Sequence, residues 1–175
     1  RVGVAMDPAV TASEDSDETG IIVAGLTRSH HVLIFDDQSC KDSPRGWAAT
    51  AVGLFRQWRC DRVVAEVNNG GDLVAANLRT IDPNIPFRAV RASRGKHKRA
   101  EPVASLYEQN RVHHVGFFPD LENQLCEWTH FKAEDEGEEA HDDRMDALVW
   151  AVHELLFDLE QQTYTIPLND PSKYR

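Results

Sequence analysis

The chain has 175 residues, 41% hydrophobic and 27% charged, enough for one domain with a proper core and unlike a disordered or membrane-spanning sequence. Its 19 basic and 29 acidic side chains give a formal charge of −10, a balance that by itself argues against a nucleic-acid binder. Acids that hold metal ions, however, count as negative charge only until the metals arrive.

The first segment, Val2 to Asp7, is a short apolar run ended by Asp7-Pro8 and predicts a buried strand. A polar loop, Ala9 to Thr19, leads to a second strand from Gly20 to Leu26, and Thr27-Arg28-Ser29 turn into a third from His30 to Phe35. Three strands on short links predict an antiparallel meander. Ser43-Pro44 reads as an N-cap with proline at the first helical position. Trp47, Ala51, Leu54, Phe55 and Trp58 then follow at helical spacing, which predicts a core-facing stripe. A strand over Arg62 to Val67, a turn at Asn68 to Gly71 and a helix from about Asp72 to Thr80 come next. Phe87 to Ala92 is a fifth strand, Glu101 to Asn110 a helix, Arg111 to Val115 a short extended piece, and Pro119 to Trp128 another helix. An acidic loop, Glu134 to Glu139, precedes a long helix from Asp142 to about Leu159. Residues 1–159 therefore form the expected domain, and 160–175, with little periodicity, a tail. The order predicts an α/β fold, a mixed sheet with an antiparallel meander, parallel strands and helices on both faces.

No apolar run approaches the roughly 18–20 residues that a membrane-crossing helix needs. Cys40, Cys60 and Cys126 are odd in number and lack CxxC spacing, which argues against a disulfide framework or zinc knuckle and fits a reducing cytoplasm. The chain starts with Arg1, which leads to the expectation of a segment of a larger protein.

The informative acids sit against their local grain. Asp7 ends an apolar strand, Glu66 is embedded in Val63-Val64-Ala65-Glu66-Val67, and Asp143 and Asp146 lie three apart at the start of an apolar helix, on one face. Each placement costs desolvation unless a cation or hydrogen bonds offset it. Taken singly, they admit plain explanations: a strand-ending turn for Asp7, an edge charge or helix cap for Glu66, and complementation of the helix dipole for Asp142 and Asp143. Asp146, one turn into the helix, has no capping role. Converging, the four would form an all-oxygen site suited to Mg²⁺ or Mn²⁺. Two such ions are the machinery of phosphodiester hydrolysis, which needs no nucleophilic side chain.

These residues carry a resemblance. Asp7, Val64-Ala65-Glu66-Val67-Asn68-Asn69-Gly70-Gly71, Arg94-Gly95-Lys96, Arg99-Ala100-Glu101-Pro102-Val103, Leu106-Tyr107-Glu108-Gln109-Asn110-Arg111-Val112-His113-His114 and Asp143-Arg144-Met145-Asp146-Ala147-Leu148-Val149-Trp150 resemble, in order and over roughly residues 1–158, the RNase H-like nuclease domain of tailed-phage large terminase subunits. The resemblance implies a metal-dependent endonuclease that cuts concatemeric double-stranded viral DNA at the start and end of packaging. It also implies partners: an N-terminal packaging ATPase domain, a portal protein and a small terminase subunit, in the host cytoplasm and not at a membrane. The family helix often begins Ser-Pro-Asp/Asn-Arg, whereas here it reads His141-Asp142-Asp143-Arg144, leaving open which of Asp142, Asp143 and Asp146 is the main ligand. The D-x-x-D-A-L pattern also resembles RuvC-type Holliday-junction resolvases, where both aspartates bind metal. Asp143 and Asp146 rank first, with Asp142 in reserve. No GxxxxGK[ST] occurs, so the ATPase function is not expected of this chain.

Residues 88–99 hold six Lys/Arg and no acid, while 134–146 hold eight acids and one Arg. A basic segment beside an acidic metal site suits a grip on phosphates, with Arg94, Lys96, Lys98 and Arg99 as the expected backbone contacts. Nothing resembles a base-reading helix, so little sequence specificity is expected. His30-His31 and His113-His114 each point to opposite faces of a strand and cannot chelate as neighbours. His141 is a candidate to orient a ligand, and Asp17 or Glu18 a peripheral acid. Trp47 and Trp58 read as core. Two rivals remain: a junction resolvase, and a non-catalytic RNase H-like docking module.

Overall fold

Residues 1–9, 18–67, 71–92, 95–128 and 142–157 are described in a computed structural model of the chain. The meander forms as β1 (Val2–Asp7), β2 (Gly20–Leu26) and β3 (Val32–Asp37), paired antiparallel. α1 (Pro44–Gln57) follows, with the Ser43 hydroxyl accepting from the Gly46 N–H and Pro44 in the first turn, as the Ser-Pro pair predicts. β4 (Arg62–Glu66) runs parallel to β1, and α2 (Gly71–Ile81) leads to β5 (Phe87–Val90), parallel to β4. α3 (Lys96–Glu108), β6 (Val112–His114), α4 (Pro119–Glu127) and α5 (Asp143–Val152) complete the order, and α5 runs on into a π-helical turn, His153–Phe157. The six strands form one mixed sheet in the order β5-β4-β1-β2-β3-β6.

Strand alternation divides the core. Val4, Met6, Val63 and Ala65 face α1 and α2, whereas Ala5, Ile22, Ala24 and Val64 face α3, α4 and α5. By the same alternation Asp7 and Glu66, two residues beyond Ala5 and Val64, fall on the α5 side. Met6 pairs with Ala65, so these two acids end neighbouring strands one residue past a paired position. Asp7 itself is opposite Gly20 on β2. A Cβ on Gly20 would stand 2.0 Å from the Asp143 carbonyl oxygen, so glycine is what lets α5 begin directly over β2.

Three expectations shift. β3 begins at Val32 instead of His30, because His30 takes φ 61° in a turn where the Thr27 hydroxyl accepts from the His31 N–H. The extended piece after Arg111 is a true strand, parallel to β3. Most consequentially, α3 starts at Lys96 and not at Glu101: Gly95 caps it and Pro102 lies inside it. The segment read as a basic loop is therefore partly the first turn of a helix. Cations are disfavoured there by the helix dipole, and Asp142 and Asp146 supply the compensation at Lys96. Cys40, Cys60 and Cys126 are free thiols. Trp47 is buried, and Trp58 stacks on Phe35 at the edge of the same core.

Candidate active site

Asp7 and Glu66 reach the C-terminal ends of adjacent strands, and α5 brings Asp143 and Asp146 over them from the same face of the sheet. Glu66 and Asp146 are 7% and 6% exposed, unusual for ionisable groups without charge partners. The convergence is visible in Asp7, whose carboxyl is pushed up to about 8 by burial and then by the charges of Asp146, Glu66 and Asp143. Burial also raises Asp146, against the opposing pull of Lys96. All four expected ligands therefore belong to one electrostatic cluster. Asp142 stands at its rim as the N-cap residue of α5.

The cations sit inside this cluster. Lys96 Nζ is 2.6 Å from Asp146 Oδ2 and also ion-paired with Asp142. Burial works to lower the Lys96 ammonium, but Asp146 and Asp142 outweigh it and hold its pKa above the ordinary value. Arg99 is 9% exposed, with Nη2 3.5 Å from Glu66 and 3.6 Å from Asp146, and its guanidinium lies over the Trp150 ring. Of the four expected DNA contacts, then, Arg99 is an interior counter-charge and Lys96 is engaged by acids. Lys98 is exposed on α3, and Arg94 lies outside the described residues. His141, Asp17, the acidic loop and residues 160–175 also lie outside them.

Four residues that hold the site were not singled out for it. Trp150 Nε1 donates to Glu66 Oε2 at 2.6 Å, fixing the buried carboxylate. Its signal was present: Asp143, Asp146 and Trp150 fall at i, i+3 and i+7 on one helix stripe. Gln124 on α4 caps α5 from outside, its Oε1 accepting from the N–H groups of Arg144 (3.1 Å) and Met145 (3.2 Å), while Asp142 makes no side-chain cap bond. Arg144 pairs with Glu18 through two nitrogens (2.8 and 2.6 Å) and with Asp37 at 2.8 Å, tying the start of α5 to the meander. Gly20 is the fourth, through the close approach described above. Glu18 is thus a peripheral acid of the site, serving Arg144.

The donor set is all carboxylate oxygen, which suits a hard divalent ion. Among the described residues, no three Asp, Glu, His or Cys side chains are yet gathered closely enough to hold an ion. Lys96 stands between Asp142 and Asp146, its ammonium ion-paired with both. The histidine pairs meet across strands: His31 Nδ1 and His113 Nε2 are 2.8 Å apart on stacked rings at the far edge of the sheet.

The fold matches those of solved nucleases. The large terminase nuclease of thermophilic phage G20c with bound magnesium superposes with a TM-score of 0.69 at 16% identity, over 88% of this chain and 81% of that one. Thermus thermophilus RuvC gives 0.54 at 13% identity, over 91% and 97%. The yeast mitochondrial Holliday junction resolvase gives 0.54 at 14%, over 93% and 80%. A search of curated proteins finds no match. The family described as the terminase RNaseH-like domain matches residues 4–155, from the first strand into the π-helical turn after α5. The chain belongs to the terminase RNase H-like domain family.

Proposed function

We propose that the chain is a metal-dependent DNA endonuclease, the nuclease domain of a viral packaging terminase, hydrolysing phosphodiester bonds of concatemeric double-stranded DNA with little sequence specificity. The observation that carries this is the convergence of Asp7, Glu66, Asp143 and Asp146, whose charges add to burial in pushing the Asp7 carboxyl up to about 8. These four would hold two Mg²⁺ or Mn²⁺ ions, with Asp142 beside them. The magnesium-bound G20c terminase nuclease, which shares the fold, supports the choice of ion class.

Such an ion pair, held by these carboxylates, would lower the pKa of the attacking water and stabilise the leaving 3′ oxygen. The protein supplies the rest. Asp7 releases its proton as positive charge replaces the repulsion of its neighbours. The Trp150 N–H orients Glu66, and Gln124 and Arg144 fix the height of α5 and so of Asp143 and Asp146. Lys96 neutralises Asp142 and Asp146 in the meantime and must give way, which frees it for phosphate contact together with Lys98 and Arg94. The packaging ATPase domain, portal protein and small terminase subunit are the proposed partners, with the host cytoplasm as the setting.

Plasmid cleavage in Mn²⁺ tests the reading. Asp7→Asn and Asp146→Asn are expected to lower the rate at least about 100-fold, since each removes charge that the bound ions require. Undiminished cutting by both variants overturns the assignment. A preference for four-way junctions over linear duplex in a parallel digestion would instead select the resolvase reading.

A further inference from the structure

Beneath the strands, at the opposite end of the α5 face from the strand-end acids, lies a second charge cluster that the cutting chemistry does not use. Glu154, in the π-helical turn, is 3% exposed. Three arginines converge on it: Arg88 at 2.7 Å, Arg1 at 3.0 Å and Arg62 at 3.4 Å. Their side chains remain 31–39% exposed. One buried carboxylate thus organises three half-exposed guanidiniums. A guanidinium carries five donors in a planar fork, so one face can serve Glu154 while another meets an outside oxyanion.

Arg88 and Glu154 also line a cleft of about 270 Å³, together with Arg91, Trp150 and His153. The cleft follows β5, the free edge of the sheet, and Arg91 stands exposed at its rim. It shares Trp150 with the catalytic cluster, because the indole N–H is the group that holds Glu66. A chain of phosphates seated along β5 would therefore be led to the carboxylates. Edge strands are commonly charged to prevent strand pairing, but that role does not require three arginines gathered on one buried glutamate.

We infer that Arg62 and Arg88, assembled on Glu154, together with Arg91 in the adjoining cleft, form the phosphate-binding track by which the backbone of duplex DNA reaches the carboxylate site. The inference rests on the endonuclease reading and adds a grip along the β5 edge to the phosphate contacts of Lys96, Lys98 and Arg94. Glu154 is a positioning residue, and the track reads no bases.

Fluorescence anisotropy with a short labelled DNA duplex in Ca²⁺, over a series of KCl concentrations, tests it. Arg91→Gln and Arg62→Gln are the informative variants, because Glu154 keeps Arg88 and Arg1 in both and melting temperature reports that the fold is kept. Each is expected to weaken binding several-fold and to lower the log–log salt slope by about 1, and the double variant by about 2. Arg111→Gln, the same charge removed at the far edge of the sheet beside β6, is expected to leave the slope near wild type. Variants at Arg62 and Arg91 that keep the wild-type slope, or an equal loss from Arg111→Gln, overturn the track. The nuclease reading is decided separately, by whether wild-type protein cuts plasmid in Mn²⁺ and Asp7→Asn does not.

Discussion

An aspartate that titrates near pH 8 is a proton store. Unfolded, Asp7 has its ordinary value near 3.8; folded and without metal it stands at about 8, raised by burial and then by Asp146, Glu66 and Asp143. Between those values the native state holds a proton that the unfolded chain has released, so stability falls as pH rises from about 4 to about 8. In EDTA the melting temperature is expected to drop across that window, and Asp7→Asn to remove part of the drop by abolishing the titration. Identical pH profiles would contradict the placement of Asp7 among the acids. The choice of Asp7, Glu66, Asp143 and Asp146 was legible because each violates its local pattern. The roles of Lys96 and Arg99 were not, since a basic run gives no sign that its cations turn inward; only the helical start of α3 puts them there.

At the scale of elements, the start of α5 is decided by its neighbours. It carries two acids in its first turn, favourable for the helix dipole, yet it lacks a side-chain cap of its own and borrows Gln124. Gln124→Ala is expected to cost about 1 kcal/mol in urea denaturation, the usual value of a lost cap. It should also slow plasmid cutting more than an exposed substitution elsewhere on α4, because the loosened turn carries Asp143 and Asp146. Equal rates for the two would reduce Gln124 to a stability role. The Ser43-Pro44 cap of α1 could be read directly, because donor and acceptor are local in sequence. A cap reached from 20 residues away leaves no local spacing to read. The start of α3 is hidden for another reason: Gly95 offers no side-chain cap, and the acids that compensate Lys96 come from the start of α5.

For the whole molecule, the net charge of −10 resolves into opposed regions: a carboxylate cluster at the strand ends, held by Lys96 and Arg99, and an arginine array on Glu154 at the other end of the α5 face. A divalent ion that binds only the folded cluster must stabilise it, by about 2.7 kcal/mol when present at 100 times its dissociation constant. For a domain of this size that corresponds to a rise in melting temperature of roughly 5–11 °C. Mn²⁺ titrated against the wild type is expected to show such a rise, and the Asp7→Asn/Asp146→Asn double variant to show none. A flat response in wild type would favour the docking-module reading, in which the acids serve the fold alone. The mixed sheet and its two helical layers were legible as a whole because strand and helix periods are local, whereas the arginine array depends on an extra residue in a π-turn that no period announces.

The glycine opposite Asp7 sets a distance that side chains cannot renegotiate. Gly20 is Asp7's register partner on β2, and its missing Cβ lets the Asp143 carbonyl rest on the strand. The interval between the first and third acids is thus gauged by main chain against main chain, with no rotamer between them. Repacking of the surrounding core, by drift or by design, can change how firmly the sheet and α5 are clamped, yet it leaves the gauge itself unaltered. A side chain at position 20 would reset it directly.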